Sequence, residues 1–383
     1  MPHINTIFNQ LLRFVPRHHF DDSVKKYQSD RYVKKFDTWS QFITLLYSQI
    51  TGADSLRDIE TTLGALHSRW YHVGLKSVKR STLSEANAKR DYRTYEDLFY
   101  ALLGKCKNNT PKHKFNFTNP LYSMDATVID LCLSVFPWAK FRKRKGALKL
   151  HIQYDHSGHI PAFMVVTDGK QHESKVAKLE AMHLMPDSIV SFDKAYIDYK
   201  WLCLLNKTGV YFVTRAKSNM RYGVTGQHTP PNESVLSDEK VRLKNNEIYK
   251  DEMRLVRYKD KETGKELVFM TNNFELSAET VAQIYKSRWQ IELFFKWIKQ
   301  NLKIKTFLGT SKNAVLTQIW VAMCYYLLLT YIKYQAKYAY SLLEFTRIIS
   351  ATLFERLDMI DILSCQLKTL GRVREPDRHP RLF

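Results

Sequence analysis

Tyr122-Ser123-Met124-Asp125-Ala126-Thr127-Val128-Ile129 is the stretch on which the reading of this chain turns. Its β-branched and aromatic residues predict a strand, yet a carboxylate sits inside it, where burial costs desolvation free energy unless a partner is present. The apolar run extends from Leu121 to Leu133, and further runs at 148–154, 161–167, 189–192 and 210–214 predict four more strands. Gly158-His159 supplies a hairpin-like connection between the second and third, while helices at about 175–183 and 196–207 flank the fourth. Three antiparallel strands followed by alternating helix and strand make a mixed α/β sheet. Asp193 ends the fourth strand, Ile189-Val190-Ser191-Phe192. Neighbouring strands carrying Asp125 and Asp193 could bring both carboxylates onto one hard divalent cation such as Mg2+, which takes oxygen ligands. Either residue alone could equally end its strand or cap the following helix.

A helix expected over 278–302 carries Tyr285, Arg288, Glu292 and Lys299 at offsets of three, seven and fourteen. At about 100° per residue these four fall within a sector of roughly 60°. Ile284, Ile291, Phe295, Ile298 and Leu302 form an adjoining apolar stripe that would pack on the sheet and leave the polar quartet at its margin. Glu292 would add a third carboxylate, and Arg288 and Lys299 can bind phosphate. The plainer alternative is a solvated face with an i,i+4 pair of Arg288 and Glu292.

Ahead of the sheet, residues 1–110 read as helical. Trp39, Phe42, Ile43, Leu46 and Ile50 recur at helical spacing behind Asp37 or Thr38, and Leu56, Ile59, Leu63 and Leu66 behind Asp54 or Ser55. A third helix is expected from Ser81-Thr82, with Thr82 and Glu85 as a capping box and Asn87, Lys89 and Arg90 on its surface. That pattern suits a helix-turn-helix-like DNA reader or a small bundle whose last helix is solvated. Residues 105–119 are polar and turn-prone, a linker. From about 219 to 275 the chain is polar and strand-like, with runs at 253–258 and 267–271, and reads as an inserted β subdomain. The catalytic segment is thus expected at 120–350, followed by a basic segment, 351–383.

The chain has 383 residues with 59 Lys and Arg against 38 Asp and Glu, a formal charge of +21, so a polyanionic partner is expected. Basic residues crowd 140–149 and the tail, at Lys368, Arg372, Arg374, Arg378 and Arg381. The five cysteines are scattered, with no CxxC spacing to hold zinc, which suits a reducing, cytoplasmic setting. Residues 314–332 carry no charge and are open to two readings, a membrane span or a buried core helix; Thr317, Gln318, Tyr325, Tyr326 and Thr330 within the run favour the second.

Tyr285-x2-Arg288-x3-Glu292-x6-Lys299 resembles the YREK signature of DDE transposases, specifically the family numbered four among bacterial insertion sequences. Met124-Asp125-Ala126-Thr127 and Asp193-Lys194-Ala195-Tyr196-Ile197-Asp198 are similar to that family's two aspartate motifs, in the expected order. The resemblance covers roughly 30–350. It implies an RNase H-like fold with a β insertion ahead of the glutamate and an N-terminal DNA-binding region. It also implies Asp125, Asp193 and Glu292 as ligands of two Mg2+ ions, with Mn2+ able to substitute. Tyr285, Arg288 and Lys299 would contact DNA. The implied activity is cut-and-paste transposition by a homodimer on double-stranded DNA, acting at terminal inverted repeats and then on target DNA. Two further readings are an RNase H-like nuclease without strand transfer and an inactive DNA-binding relative. The chain departs from the family pattern at Lys194-Ala195, where many relatives carry Arg-Gly, and in having no Trp between Trp201 and Trp289 to hold a flipped base. Tyr222, Tyr249 or Tyr258 could stack in its place.

Overall fold

The computed structural model describes residues 5–142, 145–169, 184–338 and 341–363. The chain divides into two compact units, one of residues up to Thr110 together with those from Ile298 onward, the other Pro111–Trp297. The first unit begins with α1 (Ile7–Arg13), α2 (Arg17–Lys26), α3 (Thr38–Thr51), α4 (Leu56–Ala65), α5 (Arg80–Lys89) and α6 (Arg93–Lys107). Asp37 caps α3 by accepting from the Ser40 amide, and Ser55 caps α4 by accepting from that of Asp58, so these helices start where the sequence signals them.

The second unit is built on one ten-stranded sheet. Its strands are β1 (Leu121–Leu131), β2 (Lys140–Arg142), β3 (Lys145–Asp155), β4 (Ile160–Asp168), β5 (Ile189–Phe192), β6 (Tyr211–Arg215), β7 (Tyr222–His228), β8 (Val235–Leu243), β9 (Met253–Lys259) and β10 (Glu266–Thr271). The order is β2-β3-β1-β5-β6-β10-β9-β8-β7, with β4 also paired to β3. β1, β3 and β4 are antiparallel, while β5 runs parallel to β1 and β6 parallel to β5. The turn from β3 to β4 uses Gly158 at φ 73° and His159 at φ 55°, the left-handed pair expected of a tight connection. Among the described residues its helices are α7 (Tyr199–Lys207), α8 (Ala278–Ser287) and the first part of α9 (Trp289–Asn301), which runs across the division at residue 298. Met124, Phe192 and Phe212 pack with Trp201, Leu202 and Leu205 of α7 on one face. Leu121, Ile189, Val213 and Phe269 pack with Val281, Ala282 and Ile284 of α8 on the other.

Residues 219–275 differ from the expected subdomain. β10 pairs with β6, and β9, β8 and β7 follow outward, so the segment lengthens the main sheet and shares its core through Val241, Leu255 and Met270. The reason is edge satisfaction: β6 would otherwise present a row of unpaired backbone groups.

The chain returns to the helical unit with α10 (Lys312–Gln335) and α11 (Leu342–Thr352). The segment expected as catalytic, 120–350, is therefore divided at residue 298. The cause lies in α10, which is long and apolar enough to cross a membrane by composition, but 94% of its most apolar window is buried. It is enclosed by α3, α5, α6 and α11, with Trp320, Tyr325 and Leu328 inside, as an all-round apolar helix must be.

The third helix also departs from expectation. α5 begins at Arg80 with Lys79 in the cap position and no side-chain cap, while Glu85 pairs with Lys89 at 2.6 Å, so the Thr82–Glu85 box does not form. The Arg80 amide instead donates to Glu60 Oε1 at 3.1 Å. Asn87 and Arg90 face inward. Gln41 Nε2 donates to Asn87 Oδ1 at 2.8 Å, Arg90 Nη1 donates to Gln41 Oε1 at 3.1 Å, and Asn313 Nδ2 donates to the Asn87 carbonyl at 2.9 Å. Their polarity serves the interior of the bundle. Lys143, Arg144, the expected helix at 175–183 and the five basic tail residues lie outside the described residues.

Candidate active site

Strand register places the site. In the parallel set, Ser123 lies opposite Ser191, and Ser191 opposite Val213; one step on, Met124 lies opposite Phe192 and Phe192 opposite Thr214. Side chains alternate along a strand, so Leu121, Ser123 and Asp125 share a face, as do Ile189, Ser191 and Asp193, and Val213 and Arg215. This is the face covered by α8. Continuing the register by one residue sets Asp125, in the middle of β1, beside Asp193 and Arg215 at the carboxyl ends of β5 and β6, on neighbouring strands spaced by about 4.8 Å. The end of α8 brings Tyr285 and Arg288 to the same place.

Arg288 joins two of the carboxylates. Its Nη1 donates to Asp125 Oδ2 at 2.9 Å and its Nη2 to Glu292 Oε1 at 2.6 Å, with side-chain exposures of 12% for Arg288, 21% for Asp125 and 32% for Glu292. Burial works against the guanidinium charge, but Asp125 and the bond to Glu292 outweigh it and the Arg288 pKa is raised. The Arg288 guanidinium stands 5.7 Å from the Tyr285 ring. Burial raises the Tyr285 hydroxyl, Arg288 and Arg215 oppose that, and Asp193 adds to it, which places these charges around one phenol. Asp193 itself accepts from the Ala195 amide at 3.0 Å, capping the short turn Lys194–Tyr196. Among the described residues no three His, Cys, Asp or Glu side chains are grouped tightly enough to ligate one ion. The structure thus brings Asp125 and Glu292 together through Arg288, with Asp193 on the adjacent strand and turned to its cap. The donor set is nevertheless all carboxylate oxygen, the chemistry that suits a hard divalent cation, and Asp125 and Glu292 already converge on one positive charge.

The helix expected over 278–302 is broken. Arg288 sits between α8 and α9, its amide reaching back three residues to the Tyr285 carbonyl at 3.2 Å, and Ile291 does the same to the Arg288 carbonyl at 3.1 Å. Arg288 nonetheless keeps right-handed helical dihedrals, φ −53° and ψ −28°, and its bond to Glu292 spans i,i+4, so these two side chains share a face across the break. Lys299 lies on α9 beyond the end of the sheet unit. Of the aromatic candidates, Tyr249 is fully buried and cannot stack on a base, Tyr222 and Tyr258 are half-buried against the cores, and Trp289 is 46% exposed.

Sequence reading missed Arg215 and a buried polar layer directly beneath the aspartates. Ser123 Oγ lies 2.7 Å from both Ser191 Oγ and His156 Nε2. For Ser123 and Ser191 the signal was the two-residue period from Asp125 and Asp193; Arg215 and His156 had none. Burial depresses His156 to about 3, and His151 on β3 to about 4. Both stay neutral when folded but take up a proton near 6.5 when unfolded, so their contribution is complete above pH 6.5 and is lost as pH falls toward those values. Each is expected to cost about 2 kcal/mol of stability by pH 5. Urea unfolding of the sheet unit followed from pH 8 to pH 5 should show this drop, and a flat profile would contradict the assignment.

A sequence profile described as the transposase DDE domain matches residues 117–328, more than half of the chain. The chain belongs to the DDE transposases. The matched range takes in the whole sheet, and the RNase H-like fold of the family accounts for it. A second profile, a domain of unknown function (DUF4372), matches residues 3–76. Three relatives carry the word transposase in their names. The y4zB protein of Sinorhizobium fredii is 32% identical over 286 residues, covering 73% of this chain and 79% of its own. The protein of insertion sequence element IS5377 of Geobacillus stearothermophilus is 29% identical, covering 69% and 70%. That of element IS4SA of Synechocystis is 24% identical, covering 74% and 81%. This transposase is accordingly an insertion-sequence enzyme that cleaves and transfers DNA strands, and DDE domains generally use divalent metal ions for that chemistry.

Proposed function

We propose that the transposase moves its element by cut-and-paste, with Asp125, Asp193 and Glu292 holding two Mg2+ ions. The observation carrying this reading is the convergence of Asp125 and Glu292 on Arg288, with Asp193 next to Asp125 in the continued register of β1 and β5. When bound, a pair of divalent ions activates a water or 3′-hydroxyl and stabilises the departing 3′-oxygen of an in-line displacement at phosphorus. The side chains do the rest. Arg288, Lys299 and Arg215 hold phosphates by charge and hydrogen bonding, and Tyr285 steadies the terminal nucleotide. Water attack nicks the element end, the freed 3′-hydroxyl closes a hairpin on the opposite strand, and after reopening it attacks target DNA. Each step breaks one P–O bond and forms another. Trp289 offers the exposed aromatic face for an unstacked base.

In this reading the N-terminal helices hold the terminal inverted repeats, the two ends are brought together by a homodimer, and the enzyme works in the cytoplasm at the nucleoid. Since Asn87 and Arg90 are committed internally, the outward residues of α5, Arg80, Ser81, Ser84 and Lys89, carry the DNA contact. Binding to any duplex should fall by at least about a thousandfold between 50 and 200 mM salt, as expected when six or more phosphates are neutralised. A shallow dependence in filter binding would contradict it.

The deciding experiment pairs purified transposase with the inverted repeats flanking its gene. Cleavage and joining of a labelled 3′ end to a second duplex, only with Mg2+ or Mn2+, is the expected result. Cleavage without joining would mean a nuclease, and binding without any metal-dependent product an inactive relative.

A further inference from the structure

We propose that Arg288 and divalent cations compete for the same two carboxylates, so that metal loading of this transposase is coupled to release of the Arg288 guanidinium toward DNA. This inference rests on the metal reading above and adds to it a reason why the two ligands bind together.

Three observations point the same way. First, the oxygens that Arg288 engages, Asp125 Oδ2 and Glu292 Oε1, lie on two different carboxylates separated by 163 and 4 residues from it. Asp125 Oδ1 is already accepting from the Ala126 amide at 2.8 Å. Oδ2 is therefore the oxygen of Asp125 directed at the guanidinium, and a cation drawing on the same pair must meet the guanidinium there. Two close carboxylates repel unless a positive charge lies between them, and Arg288 supplies it.

Second, Arg288 is not fully satisfied in this pose. Its Nε is buried and has no hydrogen-bond partner among the described residues. A guanidinium has five donors in a fixed fork, and a phosphate can take two of them side by side, so leaving the carboxylates for a phosphate need not lower the number of bonds made.

Third, Arg288 stands at the break between α8 and α9, where the backbone bonds reach three residues rather than four. Side-chain reorientation there does not have to work against a regular helical turn on both sides.

A consequence follows from reciprocity. If metal binding frees the guanidinium, a phosphate that takes up the guanidinium must favour metal binding to the same degree. The cation site then fills most readily when DNA lies across it, which limits stray hydrolysis by the unengaged enzyme.

The test measures Mn2+ affinity of the full-length protein without DNA, by the electron paramagnetic resonance signal of free Mn2+, for the wild type, Arg288→Met, Arg288→Lys and Asp125→Asn. Competition predicts that Arg288→Met binds Mn2+ at least about tenfold more tightly than wild type. Arg288→Lys, which keeps the charge but reaches only one carboxylate, should fall between them. Equal or weaker binding by Arg288→Met would overturn the proposal, as would Arg288→Lys indistinguishable from wild type, which would leave only general charge repulsion. Asp125→Asn serves to separate the two claims. If wild type binds Mn2+ and Asp125→Asn does not, the metal reading stands whatever Arg288 does. If Asp125→Asn binds as wild type does, or wild type binds no Mn2+, the metal reading falls and this inference with it.

Discussion

Asp125→Asn, Asp193→Asn and Glu292→Gln should each lower strand cleavage by at least about a thousandfold while leaving binding to the element ends within a few-fold of wild type. The substitutions keep the volume of each side chain and remove its charge. Asp125 and Glu292 share Arg288, so loss of either charge also leaves a guanidinium that is 12% exposed with one counter-charge fewer, though an amide oxygen can still accept its hydrogen bond. Asp193 has a different neighbour, the Ala195 amide that it caps, and the asparagine side-chain oxygen can still accept that bond. A stable, DNA-binding, inactive Asp193→Asn protein would therefore separate a catalytic role from a capping one. Cleavage by any of the three near the wild-type rate, in a gel assay with end-labelled duplex, would contradict the assignment of that residue.

The second large effect is expected away from the carboxylates. Asp238 on β8 and Arg254 on β9 form a two-pronged ion pair, with Nε to Oδ1 at 2.8 Å and Nη2 to Oδ2 at 2.6 Å, and both side chains are 5% exposed. Arg254 Nη1 also donates to the carbonyls of Leu276 at 2.5 Å and Asn273 at 3.3 Å. These belong to the connection from β10 into α8, which Ser277 then caps. Asp238→Ala would strand a buried guanidinium and should destabilise the sheet unit by about 3–5 kcal/mol, whereas replacing both partners with apolar residues of similar size should recover most of that loss. The single variant should also lose cleavage activity, because the helix that carries Arg288 starts from this anchor. Urea unfolding of the single and double variants checks the first part; a cost below about 1 kcal/mol for Asp238→Ala would show that the pair contributes little.

Local signals in the sequence carried further than long-range ones. Asp37, Ser55 and the strand runs around Asp125 and Asp193 lie where their chemistry indicates, because a cap or a β-branched run acts on its immediate neighbours. The uniform apolarity of α10 was legible as enclosure for the same reason. Pairing is another matter. Nothing in 219–275 states that β10 will lie against β6, because a strand's partner is set by tertiary packing and by the need to cover an edge. Asn87 and Arg90 read as solvated because polarity does not reveal whether the partner is water or Gln41. The break at Arg288 has no proline or glycine to announce it. At the site, the three acidic residues and Arg288 stood out as charges in or beside apolar runs. Arg215, Ser123, Ser191 and His156 did not, since their significance comes from register with strands far away in the chain.

The central claim is that three carboxylates remote in sequence jointly hold divalent metal. Crystals of the transposase equilibrated with Mn2+ test it by anomalous scattering at the manganese edge. The account predicts density within about 2.2 Å of oxygens from Asp125, Asp193 and Glu292, with Asp193 turned from its cap toward the other two. Manganese bound at full occupancy elsewhere, with Arg288 still bridging Asp125 and Glu292, would contradict it.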